Sequence, residues 1–156
     1  MALVGIWGGL GWAALPLVTG SSVTSGIEHI TAPGQVPTTA GARFTLCHAG
    51  GGANCVVDGD TFRMGGVKIR IADIDTPETH PARCPREAEL GEAATRRLQS
   101  LLNSGAVSLA PIDRDTDRYG RKLRRVSVDG RGVGGTLIAE GFARAYEGGR
   151  RQGWCA

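Results

Sequence analysis

The sequence predicts a mainly β domain with α-helices packed on it, arranged as a small closed or partly closed barrel. Three observations carry that expectation: short runs rich in β-branched residues, glycine turns between them, and only one long amphipathic helical pattern. A chain of 156 residues with 41% hydrophobic content is enough for one domain with its own core.

Residues 1–20 carry no charge and have about the length of a membrane span or a long signal h-region. Residues 21–41 are rich in Ser, Thr, Gly and Pro and read as a flexible linker. Val18 and Gly20 permit a small-residue cleavage site before Ser21, which makes residues 1–20 a signal peptide. The missing positive n-region equally permits an uncleaved N-terminal membrane anchor. Both readings place the domain at 42–156 outside the cytoplasm, periplasmic or secreted, and the second tethers it to the inner membrane. Cysteine usage agrees. Cys47, Cys55, Cys84 and Cys155 include no CxxC pair, so two disulfides in an oxidising compartment fit better than a zinc site. Of the three possible connectivities, the favoured one joins Cys47 to Cys55 around a Gly-rich loop and Cys84 to Cys155.

Inside the domain, Thr61 to Met64 and Val67 to Ala72 form a predicted hairpin around Gly65-Gly66, a turn that requires positive φ. Val67, Ile69 and Ile71 alternate with Lys68 and Arg70, which sets Arg70 opposite the aliphatic side and available to a site. Glu87 to Asn103 carries Leu90, Ala94, Leu98 and Leu101 at helical spacing, with Pro85 near its start and Gly105 past its end. Ala106 to Ile112 and Lys122 to Val128 read as two further strands, the second closed by Asp129-Gly130. A short helix from Val133 to Glu140 ends on Gly141.

Charge is unevenly placed. Fourteen of the eighteen Lys and Arg residues lie beyond His80, whereas the only charged side chain before Arg43 is Glu28. A basic half suits a polyanionic partner. Against it stands an acidic cluster: Asp58 and Asp60 in Val56-Val57-Asp58-Gly59-Asp60-Thr61, then Asp73, Asp75 and Glu78 after Arg70. Carboxylates gathered at strand ends are costly unless a cation neutralises them, and a hard divalent metal is the usual solution. A guanidinium beside such a metal suggests a phosphate ligand.

With these motifs in order, the chain resembles the thermonuclease family, the staphylococcal-nuclease-like proteins. The resemblance runs through Asp58-Gly59-Asp60-Thr61, Arg70 with Asp75-Thr76-Pro77-Glu78, Glu87-Ala88 with Gly91-Glu92-Ala93-Ala94-Thr95, Asp117-Arg118-Tyr119-Gly120-Arg121, and Leu137-Ile138-Ala139-Glu140-Gly141-Phe142-Ala143. It implies an OB-fold barrel of five strands with two or three packed helices. It also implies a nuclease that uses one Ca²⁺ to hydrolyse DNA and RNA and leaves 3′-phosphate ends.

The same resemblance assigns roles. Asp60 and Asp75 would ligate the ion, with the backbone carbonyl of Thr76 as a further oxygen, and Asp58 would tune the site without ligating. Glu78 would orient or deprotonate the attacking water. Arg70 and Arg121 would grip the scissile phosphate. Tyr119 would line the nucleotide pocket, with Arg118 beside it where the family carries Lys, and Tyr146 is a looser candidate for a second aromatic.

A different class of function stays open: a non-catalytic OB-type module binding nucleic acid or protein, as degenerate relatives of the family do. The retention of Asp60, Arg70, Asp75, Glu78 and Arg121 speaks for catalysis. Asp73 is expected to pair with a nearby arginine rather than crowd the ion. Asp113, Asp115 and Asp117 lack the glycine and terminal glutamate of an EF-hand. No obligate protein partner is expected, and the domain is expected to be a monomer.

Overall fold

The computed structural model describes residues 38–155. The expected signal or anchor segment and most of the expected linker lie outside the described residues. In chain order the elements are β1 (Thr38–Thr39), β2 (Thr45–Leu46), β3 (Cys55–Asp58), β4 (Thr61–Met64), β5 (Val67–Ile71), β6 (Ile74–Asp75), α1 (Pro85–Leu102), β7 (Val107–Thr116), β8 (Lys122–Val128), β9 (Arg131–Gly132), α2 (Val133–Ala139) and β10 (Arg144–Ala145).

The main sheet runs β1-β7-β8-β5-β4-β3-β2, with β9 beside β8. Its central path, β3-β4-β5-β8-β7, is antiparallel except for the parallel pair β5-β8. That is the OB-type arrangement of five principal strands, with α1 and α2 packed on it. A separate two-stranded ladder joins β10 to β6. The hairpin turn forms as expected, with Gly65 and Gly66 at φ of 58° and 82°. Thr38 and Thr39, read from sequence as the end of the linker, instead pair with Ser108 and Val107 of β7.

The core gathers Phe44, Val56, Phe62, Ile69, Ile71 and Ile74 from the strand layer against Leu98 and Leu102 of α1 and Leu137 of α2. Phe44 and Phe62 meet edge to face at 5.8 Å. Helix α1 starts with Pro85 in its first turn and Glu87 nearby, both favourable at a helix N-terminus. Its buried stripe is Glu87, Gly91, Ala94, Thr95, Leu98 and Leu102. The expected stripe through Leu90 and Leu101 is therefore rotated, and those two leucines lie half-buried at its edges. Val67 is likewise exposed, because β5 leaves the core at its first residue. Strand β7 runs to Thr116, beyond the expected Ile112, with an irregularity against β8 between Pro111 and Thr116.

Two disulfides staple the domain, Cys47 to Cys55 and Cys84 to Cys155, the favoured connectivity. The second spans 71 residues and anchors the C-terminal segment to the N-cap of α1. Loop-closure entropy assigns such a closure on the order of 4 kcal/mol.

Leu98 is fully buried between helix and sheet. Leu98→Ala is expected to lower unfolding stability by about 2–5 kcal/mol, read as a lower denaturant midpoint at unchanged slope.

Candidate active site

Strand register assembles the motifs. Thr61 on β4 lies opposite Arg70 on β5, and Arg70 lies opposite Leu123 on β8, so Arg121 emerges just ahead of β8 on the same edge. Segments distant in sequence thus meet without a long loop. The Asp58-Gly59-Asp60 turn is pressed close to α1: a Cβ on Gly59 would stand 2.7 Å from Ala94 Cβ and 3.0 Å from Thr76 Oγ1. Only glycine fits there, and its absence of a side chain is what lets this turn lie against Thr76 and α1. Gly91 does the same for the next segment, since a Cβ there would meet the Pro77 carbonyl oxygen at 2.9 Å and that of Glu78 at 3.1 Å.

Asp60 and Arg70 form a buried ion pair, and Arg70 Nη2 also donates to the Ile74 carbonyl at 3.2 Å. The Thr61 hydroxyl donates to Asp60 Oδ1 at 2.8 Å and accepts from Arg121 Nη1 at 3.2 Å. Arg121 is itself held by Asp117, whose Oδ2 accepts from Nε at 2.7 Å and whose Oδ1 accepts the Tyr119 and Arg121 backbone N–H groups. Burial works to raise the Asp117 pKa, but these bonds outweigh it and hold the carboxyl below its ordinary value. A continuous chain, Asp117-Arg121-Thr61-Asp60-Arg70, therefore runs along one edge. Asp58 Oδ1 accepts the Asp60 N–H at 3.1 Å and closes the turn. Desolvation first, then the Asp60 charge, pushes the Asp58 carboxyl up to about 7.

Tyr119 is 66% exposed. Two guanidiniums lie near its ring, Arg118 at 4.8 Å and Arg121 at 5.4 Å from the centroid, and Arg118 Nη2 donates to its hydroxyl at 2.6 Å. The result is an aromatic platform beside the arginine pair.

Asp75 and Thr76 are buried, Glu78 half-buried. Arg151 spans them, with Nε 3.1 Å from Asp75 Oδ1 and Nη1 donating to Glu78 Oε1 at 3.1 Å. The first contact is close enough for an ion pair but misaligned for a hydrogen bond, so Asp75 Oδ1 remains a buried acceptor without a hydrogen-bond donor. Desolvation raises the Asp75 pKa, opposed by the Arg151 charge and by a hydrogen bond from Trp154. Asp73 does not make the arginine pair expected of it. Its carboxylate turns to the other side, near the start of α2, where a Cβ on Gly134 would approach Oδ1 to 3.1 Å. Among the described residues it makes no ion pair.

Sequence reasoning missed Arg151, Trp154, Asp117 and Glu87. The favoured Cys84-Cys155 pairing contained the signal for the first two, since it draws the C-terminal segment to within a few residues of Glu78. Asp117 was legible as an Asx turn, an aspartate two residues before the N–H it accepts. Glu87 is fully buried and accepts the Arg83 N–H at 2.6 Å and Arg83 Nη2 at 2.6 Å. Nothing in a helix-start glutamate announces that.

The donor set fits a hard cation. Two buried carboxylates face one another electrostatically, one oxygen lacks a hydrogen-bond donor, and two guanidiniums already lie on them as counter-charges. Among the described residues no group of three His, Cys, Asp or Glu side chains forms a ready cage. Asp60, Asp75 and the Thr76 carbonyl would leave most positions to water and substrate oxygens, which suits Ca²⁺ better than Zn²⁺.

An OB-type barrel with acids and arginines on one strand edge is the architecture of the staphylococcal-nuclease-like proteins. The profile of the Staphylococcal nuclease homologue family matches residues 68–153, more than half of the chain, and the chain belongs to that family. It is 45% identical over 94 residues to the SPbeta prophage-derived endonuclease YokF of Bacillus subtilis (strain 168), covering 56% of this chain and 31% of that protein. Endonuclease YncB of the same organism is 43% identical over 94 residues, covering 56% of this chain and 44% of that protein. Protein ParB of Escherichia coli is 32% identical over 104 residues, 58% of this chain and 54% of that protein. The chain thus spans between a third and about half of the length of these curated relatives.

The Glu87 carboxyl sits below its ordinary value of 4.5, chiefly because the Arg83 side chain bonds it, with the Arg83 and Glu78 backbone N–H groups adding to the effect against desolvation. A depressed folded pKa stabilises the protein above about 4.5, and that stabilisation is lost as pH falls through the folded value. Glu87→Gln is expected to lower the urea midpoint at neutral pH and to flatten this acid limb, so that mutant and wild type converge in acid.

Proposed function

We propose that the chain is a Ca²⁺-dependent nuclease that hydrolyses phosphodiester bonds of DNA and RNA and leaves 3′-phosphate ends. The observation that carries this reading is the Arg121-Thr61-Asp60-Arg70 chain, which holds two guanidiniums and a buried carboxylate on one edge beside Asp75 and Glu78. Membership of the family and the endonuclease names of two relatives support it.

Asp60 and Asp75, with the Thr76 carbonyl, would hold the ion, whose contribution when bound is Lewis-acid polarisation of a phosphoryl oxygen. Arg70 and Arg121 offer forked donors to the non-bridging oxygens, whose charge grows in the five-coordinate transition state. Glu78 orients the attacking water and takes its proton. Water oxygen bonds to phosphorus as the bond to the 5′ oxygen breaks, and the leaving 5′ oxygen takes a proton from solvent, so the products are a 5′-hydroxyl and a phosphate on the 3′ side. Tyr119 and Arg118 receive the neighbouring nucleotide by stacking and charge. We also place its action outside the reducing cytoplasm, a reading the two disulfides support.

Purified protein is expected to degrade single-stranded DNA with Ca²⁺ and to stop with a chelator, and mass spectrometry should find phosphate on the 3′ ends. Activity unaffected by chelation would remove the metal, and 5′-phosphate ends would reverse the cleavage polarity. Glu78→Gln should keep Ca²⁺ binding while lowering kcat on the order of 10²–10⁴-fold. A fully active variant takes Glu78 out of the mechanism.

A further inference from the structure

We propose that Trp154 is a positioning residue for Asp75: its indole N–H holds Oδ2 so that Oδ1 stays turned toward the cation. The inference rests on the metal reading above. Trp154 is only 7% exposed, although the segment before it, 147–153, is exposed throughout. Indole nitrogen is a donor only, and it donates here to Asp75 Oδ2 at 3.4 Å. The other oxygen, Oδ1, is buried and has no hydrogen-bond donor. One carboxylate thus carries a neutral donor on one oxygen, while the other meets only the charge of Arg151, whose Nε stands 3.1 Å away out of hydrogen-bond alignment.

The indole is fixed from three sides. Arg144 on β10 pairs with Asp75 on β6 through the backbone, and its guanidinium lies 3.8 Å from the Trp154 ring centre. Arg144 Nη1 also donates to the Gly153 carbonyl at 3.1 Å, holding the peptide that leads into Trp154. Cys155, the next residue, is bonded to Cys84 at the start of α1. The strand neighbour of Asp75 therefore clamps the ring that touches Asp75. A tryptophan serving only as an apolar plug needs the ring but not the N–H, which gives the test its leverage.

Groups that orient a metal-binding carboxylate typically contribute 10–100-fold in metal affinity. A 3.4 Å bond belongs at the lower end of that range. Calorimetric titration of the whole chain with Ca²⁺ is expected to give a Kd about tenfold weaker for Trp154→Phe than for wild type. Phenylalanine keeps one aromatic ring against Arg144 but gives up part of a buried side chain, so the melting temperature in chelator is expected to fall by several degrees while unfolding stays a single transition. An unchanged Kd in the folded variant overturns the proposal. If wild type binds no Ca²⁺ at all, the metal reading fails and this inference with it. Replacing the Trp154 indole by a benzothiophene (3-benzothienylalanine at 154), which keeps the bicyclic ring and lacks the N–H, separates the donor from the packing: the same tenfold weakening is expected, and a wild-type Kd overturns the proposal.

Discussion

Two buried carboxylates, Asp60 and Asp75, share one edge of a small barrel, and everything around them answers the cost of placing like charges together out of water. Arg70 lies on the first and Arg151 on the second. Asp58, one turn residue away, is pushed up toward neutrality by the same desolvation and by Asp60. Removing one partner from such an array strands a charge, which costs far more than the pair contributes. The acids and the arginines are therefore one device.

Backbone geometry sets that device within tight limits. The missing side chains of Gly59 and Gly91 let the acidic turn and the Pro77-Glu78 segment press on α1, and the parallel β5-β8 pairing places Arg121 beside Thr61. Asp117 then aims Arg121 through the side chain and fixes its loop through the backbone. On the far side the Cys84-Cys155 bond returns the C-terminal segment to the start of α1, next to the Glu87 cluster that receives the Arg83 and Glu78 backbone. Strands supply the precise half of the site; a stapled loop supplies the rest.

Much of this was legible in the chain. The Gly65-Gly66 hairpin, β8 from Lys122 to Val128, and α2 ending on Gly141 follow from local chemistry that tertiary packing does not overrule. The acids and the two arginines, Arg70 and Arg121, that the structure brings together as a candidate site were legible because their order is specific. The α1 stripe was misread because leucine marks a face by hydrophobicity, whereas this face is chosen by fit: Gly91 and Ala94 where backbone comes close, and Thr95 satisfied by the Gly91 carbonyl. The spacing of Asp73 and Asp75 implies a shared strand face and hence an arginine partner for Asp73 in place of a crowded ion, but β6 is only Ile74–Asp75 and the chain turns before it. Arg151 and Trp154 had no periodicity to betray them, since their position depends on a covalent closure 71 residues long.

We propose that the Asp60-Asp75 edge is a cation site at which Arg70 and Arg151 stand in for the ion. Crystals grown metal-free and then soaked in Ca²⁺ test it most directly. A single new peak is expected within about 2.3–2.6 Å of oxygens from Asp60, Asp75 and the Thr76 carbonyl, with Arg151 turned away from Asp75. An ion bound elsewhere on the domain, with Arg151 still across Asp75 and Glu78, would contradict it.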